Sequence, residues 1–88
     1  MEEIREQLVE MGFEDTVLFE NPDYASAIIG YDAVSGRLIY SYDLMIEHLM
    51  TVDDMSEEEA IEFIEYNTVR ALPYMGEKSP IIWTKFIE

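Results

Sequence analysis

The spacing of apolar residues switches between helical and extended periods along this chain, and each switch marks a new element. Ile4, Leu8 and Met11 recur at i, i+4 and i+7, the spacing that lines one face of a helix. Gly12 follows as a natural stop, since glycine adopts the left-handed conformation that ends helices. Thr16 to Glu20, TVLFE, is β-branched and aromatic and predicts a short strand. Asn21, Pro22 and Asp23 end that strand in a turn.

Two β-rich runs, Ala27 to Asp32 and Arg37 to Tyr42, flank a turn carrying Ser35 and Gly36, which is the pattern of a hairpin. Strict alternation places Leu38, Tyr40 and Tyr42 on one face and Arg37, Ile39 and Ser41 on the other. From Asp43 the period becomes helical, with Leu44, Met45, His48 and Leu49 on one side of about two turns. That helix gives out at TVDDM, where Asp53 and Asp54 read as an interhelical turn. Ser56 begins a longer helix that reaches Leu72, before Pro73 removes a backbone donor. Ile81 to Phe86 alternates as a last strand added to the hairpin sheet. The expected order is α-β-β-β-α-α-β. It implies an α+β fold in which an N-terminal helix and a helical hairpin pack on one face of a small antiparallel or mixed sheet.

The length of 88 residues fits one domain, residues 1–88, with a small core. Twenty acidic side chains face five basic ones, for a formal net charge of −15. Nearly half the residues are apolar, at 49%, so the charge marks a folded domain with a negative surface and not a disordered chain. No cysteine is present, which rules out disulfides, thiolate catalysis and cysteine-based zinc sites. The N-terminus lacks a basic region followed by an apolar run, and no apolar stretch approaches a membrane span of about 20 residues. A soluble, cytoplasmic protein is expected. Nucleic acid and anionic lipid would repel this surface, so neither direct nucleic-acid binding nor membrane binding is expected, and the favoured partner is basic.

The acids concentrate in SEEEAIEFIEYN, Ser56 to Asn67, which holds five glutamates in twelve residues. Ser56 and Glu59 have the spacing of a capping box, in which hydroxyl and carboxylate each satisfy a free backbone N–H. Glu57 and Glu58 suit the positive end of the helix dipole. Glu62 and Glu65 have no such explanation. With Glu58 they form a stripe at i, i+4 and i+7, away from the apolar face of Ala60, Ile61, Ile64, Thr68 and Ala71. Like charges at this spacing destabilise a helix by a few tenths of a kcal/mol, and no lysine or arginine lies between Asp43 and Tyr66. Helical rise sets successive carboxylates about 4.5 to 6 Å apart along the axis. This is the scale of phosphate spacing along a strand, so the stripe is compatible with DNA mimicry.

Of six tyrosines, Tyr40 and Tyr42 are expected to pack under the helices. Tyr66, beside Glu62, is the first candidate for an exposed aromatic contact, and Tyr24 the second. The single histidine, His48, reads as a half-buried structural residue. Asp53 and Asp54 lack the alternating oxygen donors and glycine of a calcium loop, and no nucleophile elbow or phosphate-cradling loop is present. Arg70 is expected to pair with a nearby acid. No metal, cofactor or catalytic residue is expected.

The stretch from Ala27 to Trp83, above all IIGYDAVSGRLIYSYD, MSEEEAIEFIEYNTVRALPYMG and PII, resembles a family of small acidic proteins encoded by phages, prophages and bacteria. That family has no assigned activity, so the resemblance implies a genomic setting and, for a phage protein, the host cytoplasm. Together these features favour a non-enzymatic accessory protein that binds a basic surface of a host nucleic-acid-binding or defence protein, in the manner of an inhibitor. Glu58, Glu62, Glu65 and Tyr66 would carry the contact, supported by Asp53 and Asp54, with the protein a monomer or weak homodimer. An assembly module that self-associates through an apolar patch near ALPYMG and Trp83 is the alternative. A metal-dependent enzyme using paired carboxylates ranks last. Because acidic self-repulsion is screened by salt, added sodium chloride is expected to raise the melting temperature followed by circular dichroism; a flat or falling dependence would count against a dense acidic surface.

Overall fold

The hairpin forms around a turn that Asp32 closes from both its main chain and its side chain. Its N–H donates to the Arg37 carbonyl and its carbonyl accepts from Gly36 N–H, each at 2.8 Å. Its carboxylate accepts from the Ser35 hydroxyl at 2.6 Å and the Ser35 N–H at 2.9 Å. These bonds, the hydroxyl first, hold the Asp32 carboxyl below the usual carboxylate range. The flanking strands are β1 (Ile28–Tyr31) and β2 (Leu38–Ser41), paired antiparallel with a bulge between Ile28 and Gly30.

These coordinates are a computed structural model that describes residues 2–20 and 22–85. Helix α1 (Glu2–Glu10) comes first, and a 3-10 turn (Ala25–Ala27) leads into β1. After β2 come α2 (Tyr42–Val52), α3 (Glu57–Phe63) and finally β3 (Ile81–Trp83). The sheet is mixed: β2 is central, with β1 antiparallel on one side and β3 parallel on the other. Parallel neighbours cannot be joined by a tight turn, and the helical run between β2 and β3 supplies the crossover. The α+β arrangement with an N-terminal helix, a helical pair and a C-terminal strand is the one the apolar spacing predicts. Phe86, expected at the end of β3, lies outside the described residues, as does Asn21 of the expected turn.

Three local expectations are corrected. TVLFE is extended but belongs to no sheet. Its Val17 N–H donates to the Lys78 carbonyl at 3.2 Å and its Phe19 N–H to the Tyr40 hydroxyl at 3.3 Å, so its main chain finds loop and side-chain acceptors instead of a ladder. Leu18 and Phe19 are buried in the core all the same, and burial is what their β-like composition reported. Tyr42 opens α2 instead of closing β2, because Ser41 is both the last strand residue and the N-cap, accepting from Leu44 N–H at 3.3 Å. The α2 helix therefore runs to 11 residues, longer than the two turns expected.

The helix expected from Ser56 to Leu72 changes form twice. After α3 it widens into a π-helical turn, Ile64–Thr68, and then tightens into a 3-10 segment, Val69–Tyr74, which contains Pro73. The widened turn sends Val69 N–H to the Ile64 carbonyl, five residues back. Asn67 also donates its side-chain amide to the Phe63 carbonyl at 3.2 Å, a local bond within the widened turn.

Buried side chains from Leu8 to Ile64 meet in one cluster that includes Leu8, Phe19, Tyr24, Leu38, Tyr40, Met45, Leu49 and Ile64, with Leu72, Met75 and Ile82 packed against it. Gly36 sits at its edge with φ 76°, and a Cβ there would strike Cβ, Cγ and Cδ1 of Phe13. Both the left-handed backbone and the ring contact oppose a side chain. Gly36→Ala is expected to destabilise the protein by roughly 2 kcal/mol, lowering the melting temperature by about 10 °C for a chain of this size; an unchanged melting curve would show that Phe13 moves aside freely.

Candidate partner-binding surface

The start of α3 is fixed by its capping box. Ser56 Oγ accepts from Glu59 N–H at 3.2 Å, and the Glu59 carboxylate accepts from Ser56 N–H at 3.0 Å. Those bonds hold the Glu59 carboxyl below its ordinary range. Glu59 is thereby a structural residue. Glu57 and Glu58 stand exposed in the first turn, where the dipole favours them. Asp53 is the C-cap of α2, its N–H donating to the Leu49 carbonyl at 3.1 Å. Asp54 follows with φ 54° and makes the sharp turn between the helices, a left-handed position that aspartate tolerates better than most residues.

Asp53, Asp54, Glu58, Glu62, Glu65 and Tyr66 are all exposed. The structure does not keep them in one stripe. Glu58 and Glu62 lie within α3, one turn apart, but Glu65 falls in the π-helical turn. There its carboxylate accepts from the Tyr42 hydroxyl at 2.9 Å, bridging to the first turn of α2. Glu65 therefore belongs to the seam between the two helices. Of the remaining exposed acids, Asp53, Asp54 and Glu58 stand where α2 ends and α3 begins, and Glu62 lies near the far end of α3.

Tyr66 is 62% exposed, as its position off the apolar arc predicts. Its ring carries a cation that sequence reasoning missed: the Arg70 guanidinium lies 5.3 Å from the ring centroid, a cation–π contact. Arg70 was expected to meet an acid; the contact it makes among the described residues is with the Tyr66 ring. Tyr24, the second candidate for an exposed aromatic, is instead fully buried at 0% exposure, and its hydroxyl bonds to Thr68 Oγ1 at 2.9 Å. A lone turn residue gives no local sign of such burial. His48 is half-buried as expected, with Nδ1 3.2 Å from Ser26 Oγ and its ring 5.6 Å from that of Tyr24.

Two further cations are turned inward. Lys78 Nζ donates to the Ser35 carbonyl at 2.6 Å, and Arg37 Nε donates to the Ser79 carbonyl at 2.7 Å. Both bonds tie the hairpin turn to the segment before β3, and both use neutral acceptors. Arg37 and Lys78 are thus held in loops away from the acids of α3. Among the described residues no group of three or more carboxylate or imidazole side chains is placed to hold a metal ion. Also among them, no helix is long and apolar enough to cross a membrane.

No protein-family model matches the chain, and neither a curated protein nor a solved structure matches it. What the surface can do is read from its own residues. It offers solvated carboxylates at the α2–α3 turn and along α3, with an exposed aromatic ring in the turn that follows.

The Tyr42–Glu65 bridge has a titration signature. Burial first, then the bond to Glu65 and the charges of Glu65 and Asp43, push the Tyr42 hydroxyl up to about 12. A free phenol in the unfolded chain titrates near about 10, so the folded state favours the protonated form. The stabilisation is present in full below the unfolded value and is lost as pH rises through the folded one. Glu65→Gln is expected to move the Tyr42 titration back toward the ordinary phenol range, read by carbon-13 NMR of the labelled ring. An unmoved titration would mean that the bridge does not form in solution.

Proposed function

We propose that the protein is a non-catalytic binding protein whose acidic face, at the α2–α3 turn and along α3, engages a basic surface of a partner that itself binds nucleic acid. The observation that carries this reading is the exposed set Asp53, Asp54, Glu58 and Glu62 with Tyr66 alongside. Carboxylates on this scale of spacing can occupy the lysine and arginine sites that phosphates otherwise fill. The natural consequence is inhibition by competition with nucleic acid. The resemblance to small acidic phage and prophage proteins supports a host or defence protein as the target, with the host cytoplasm as the setting.

Glu65 has a different part from the one its spacing suggests. Held by Tyr42, it contributes a fixed charge near the edge of the face. Tyr66, stacked with Arg70, presents a ring whose orientation is already restrained, which lowers the entropy lost on contact.

A second reading rests on the outer face of the sheet. Leu38 and Tyr40 are buried on the core side, so Ile39 and its neighbour in register, Ile81, line the opposite face, with Trp83 two residues on. Trp83 is 45% exposed and Ile29 49%. An apolar row of this kind favours self-association, and salt separates the two readings. Chains of like charge associate more readily as salt rises, whereas contacts between an acidic face and a basic partner weaken.

Partners captured from a bacterial lysate at low salt are expected to dissociate as salt is added. The triple variant Glu58→Gln, Glu62→Gln, Glu65→Gln is expected to lose most of that capture while keeping its fold. Equal capture by the triple variant and the parent protein would exclude the α3 face, and a mass by light scattering that doubles at high salt would favour the sheet face instead.

A further inference from the structure

Two cavities adjoin beside α3 and share Glu20, Pro22 and Phe63 as their common rim. One, of about 370 Å³, is lined by apolar groups that include Leu18, Phe63, Ala71 and Met75. The other, of about 650 Å³, is lined by Glu20, Asp23 and Asp53 together with His48 and Val52. They make a single groove with an apolar half and a carboxylate half, and no lysine or arginine lines either part.

The carboxylate half also meets the end of α2. Val52 is the last residue of that helix and Asp53 its C-cap, and no basic residue occupies its last turn. The partial negative charge of a helix C-terminus is therefore added to three carboxylates without a cation from the same turn to balance it. Asp23 has one carboxylate oxygen engaged by Ala25 N–H at 3.1 Å. Glu20 and Asp53 are exposed at the rim.

We propose that this groove binds an extended segment of a partner protein in which an apolar side chain is followed by lysine or arginine. The apolar side chain fills the half floored by Leu18, Ala71 and Met75. The cation reaches Glu20, Asp23 and Asp53 past Phe63, its aliphatic stem lying against the ring as long basic side chains do. A second copy of the chain suits the groove less well. Two chains of net charge −15 repel each other, and Arg37, Lys78 and Arg70 are already engaged within their own chain. The inference rests on the reading of the partner as basic and adds a place where one of its segments is held.

The test uses hexapeptide probes and residue-resolved NMR of the full chain at low salt. A probe with leucine followed by two arginines is expected to shift the signals of Phe63, Met75, His48 and Asp53. Exchanging its leucine for serine, or its arginines for glutamines, is expected to abolish those shifts. Glu20→Gln, at an exposed position of the groove that lies outside the α3 face, is expected to weaken binding about two- to fivefold, the scale of one exposed ion pair. The triple variant Glu58→Gln, Glu62→Gln, Glu65→Gln is expected to bind the probe as the parent does, so loss of the α3 face and loss of the groove are read separately. Shifts spread evenly over the acidic surface, equal binding of the serine probe, or the same shifts produced by Mg²⁺ at matched ionic strength would overturn the proposal. Groove signals that move with protein concentration in the absence of probe would overturn it too, in favour of a second copy.

Discussion

Tyr24 and Thr68 stand 44 positions apart in the chain and share a buried hydrogen bond of 2.9 Å between their hydroxyls. The rest of the packing depends on that contact and on the rings around it. Tyr24 has φ 48°, a left-handed backbone that costs a bulky residue on the order of 1 kcal/mol or more. The conformation persists because the ring is enclosed. It packs edge-on against Phe19 at 5.5 Å, and Phe19 packs in turn on Tyr40 at 4.7 Å. Three rings therefore join an unpaired extended segment, a turn and the central strand, while the Thr68 bond joins them to the π-helical turn. Each phenol hydroxyl has a partner, as burial requires. Burial raises the pKa of both, more than their bonds to Thr68 and the Phe19 N–H lower it.

That arrangement also decides where charge goes. Among the described residues, a core built from aromatic and aliphatic side chains leaves the carboxylates exposed or half-buried, and the structure uses few of them internally: Asp23 before the 3-10 turn, Asp32 in the hairpin turn, Glu59 in the capping box, Glu65 in the bridge to Tyr42. The cations follow the opposite rule. Arg37 and Lys78 hold two loops together through carbonyl oxygens, and Arg70 lies on a ring. Separation of this kind leaves exposed carboxylates clustered at the turn between α2 and α3.

Elements specified by neighbouring residues were legible in the sequence, and elements specified across the chain were not. The hairpin turn and the capping box are closed by side chains within three residues of their partners, so both could be read from spacing. The addition of β3 to the hairpin sheet could be read from its alternation, whereas its parallel pairing with β2 could not, because direction depends on the path of the helices between them. By contrast, the unpaired state of TVLFE depends on Lys78 and Tyr40, and the burial of Tyr24 depends on Thr68; no local pattern carries either. The acidic surface was read correctly as exposed, yet its continuity was overestimated. Spacing at i, i+4 and i+7 presumes an unbroken α-helix, and the π-helical turn withdraws Glu65 to Tyr42.

The π-helical turn is where scaffold and surface meet. It places Thr68 for the buried bond to Tyr24, hands the Phe63 carbonyl to Asn67, and turns Glu65 toward α2. Phe63, just before it, is the residue shared by the apolar and carboxylate halves of the groove. Stability within α3 gives no reason for Glu62, which sits one turn from Glu58 with the same charge and no cation between, an arrangement that costs a few tenths of a kcal/mol. The capping box and the burial of Ala60 and Ile64 hold the helix in spite of it. A carboxylate that the helix does not need, on the solvent side of a fixed scaffold, is available to a partner at no further cost in folding.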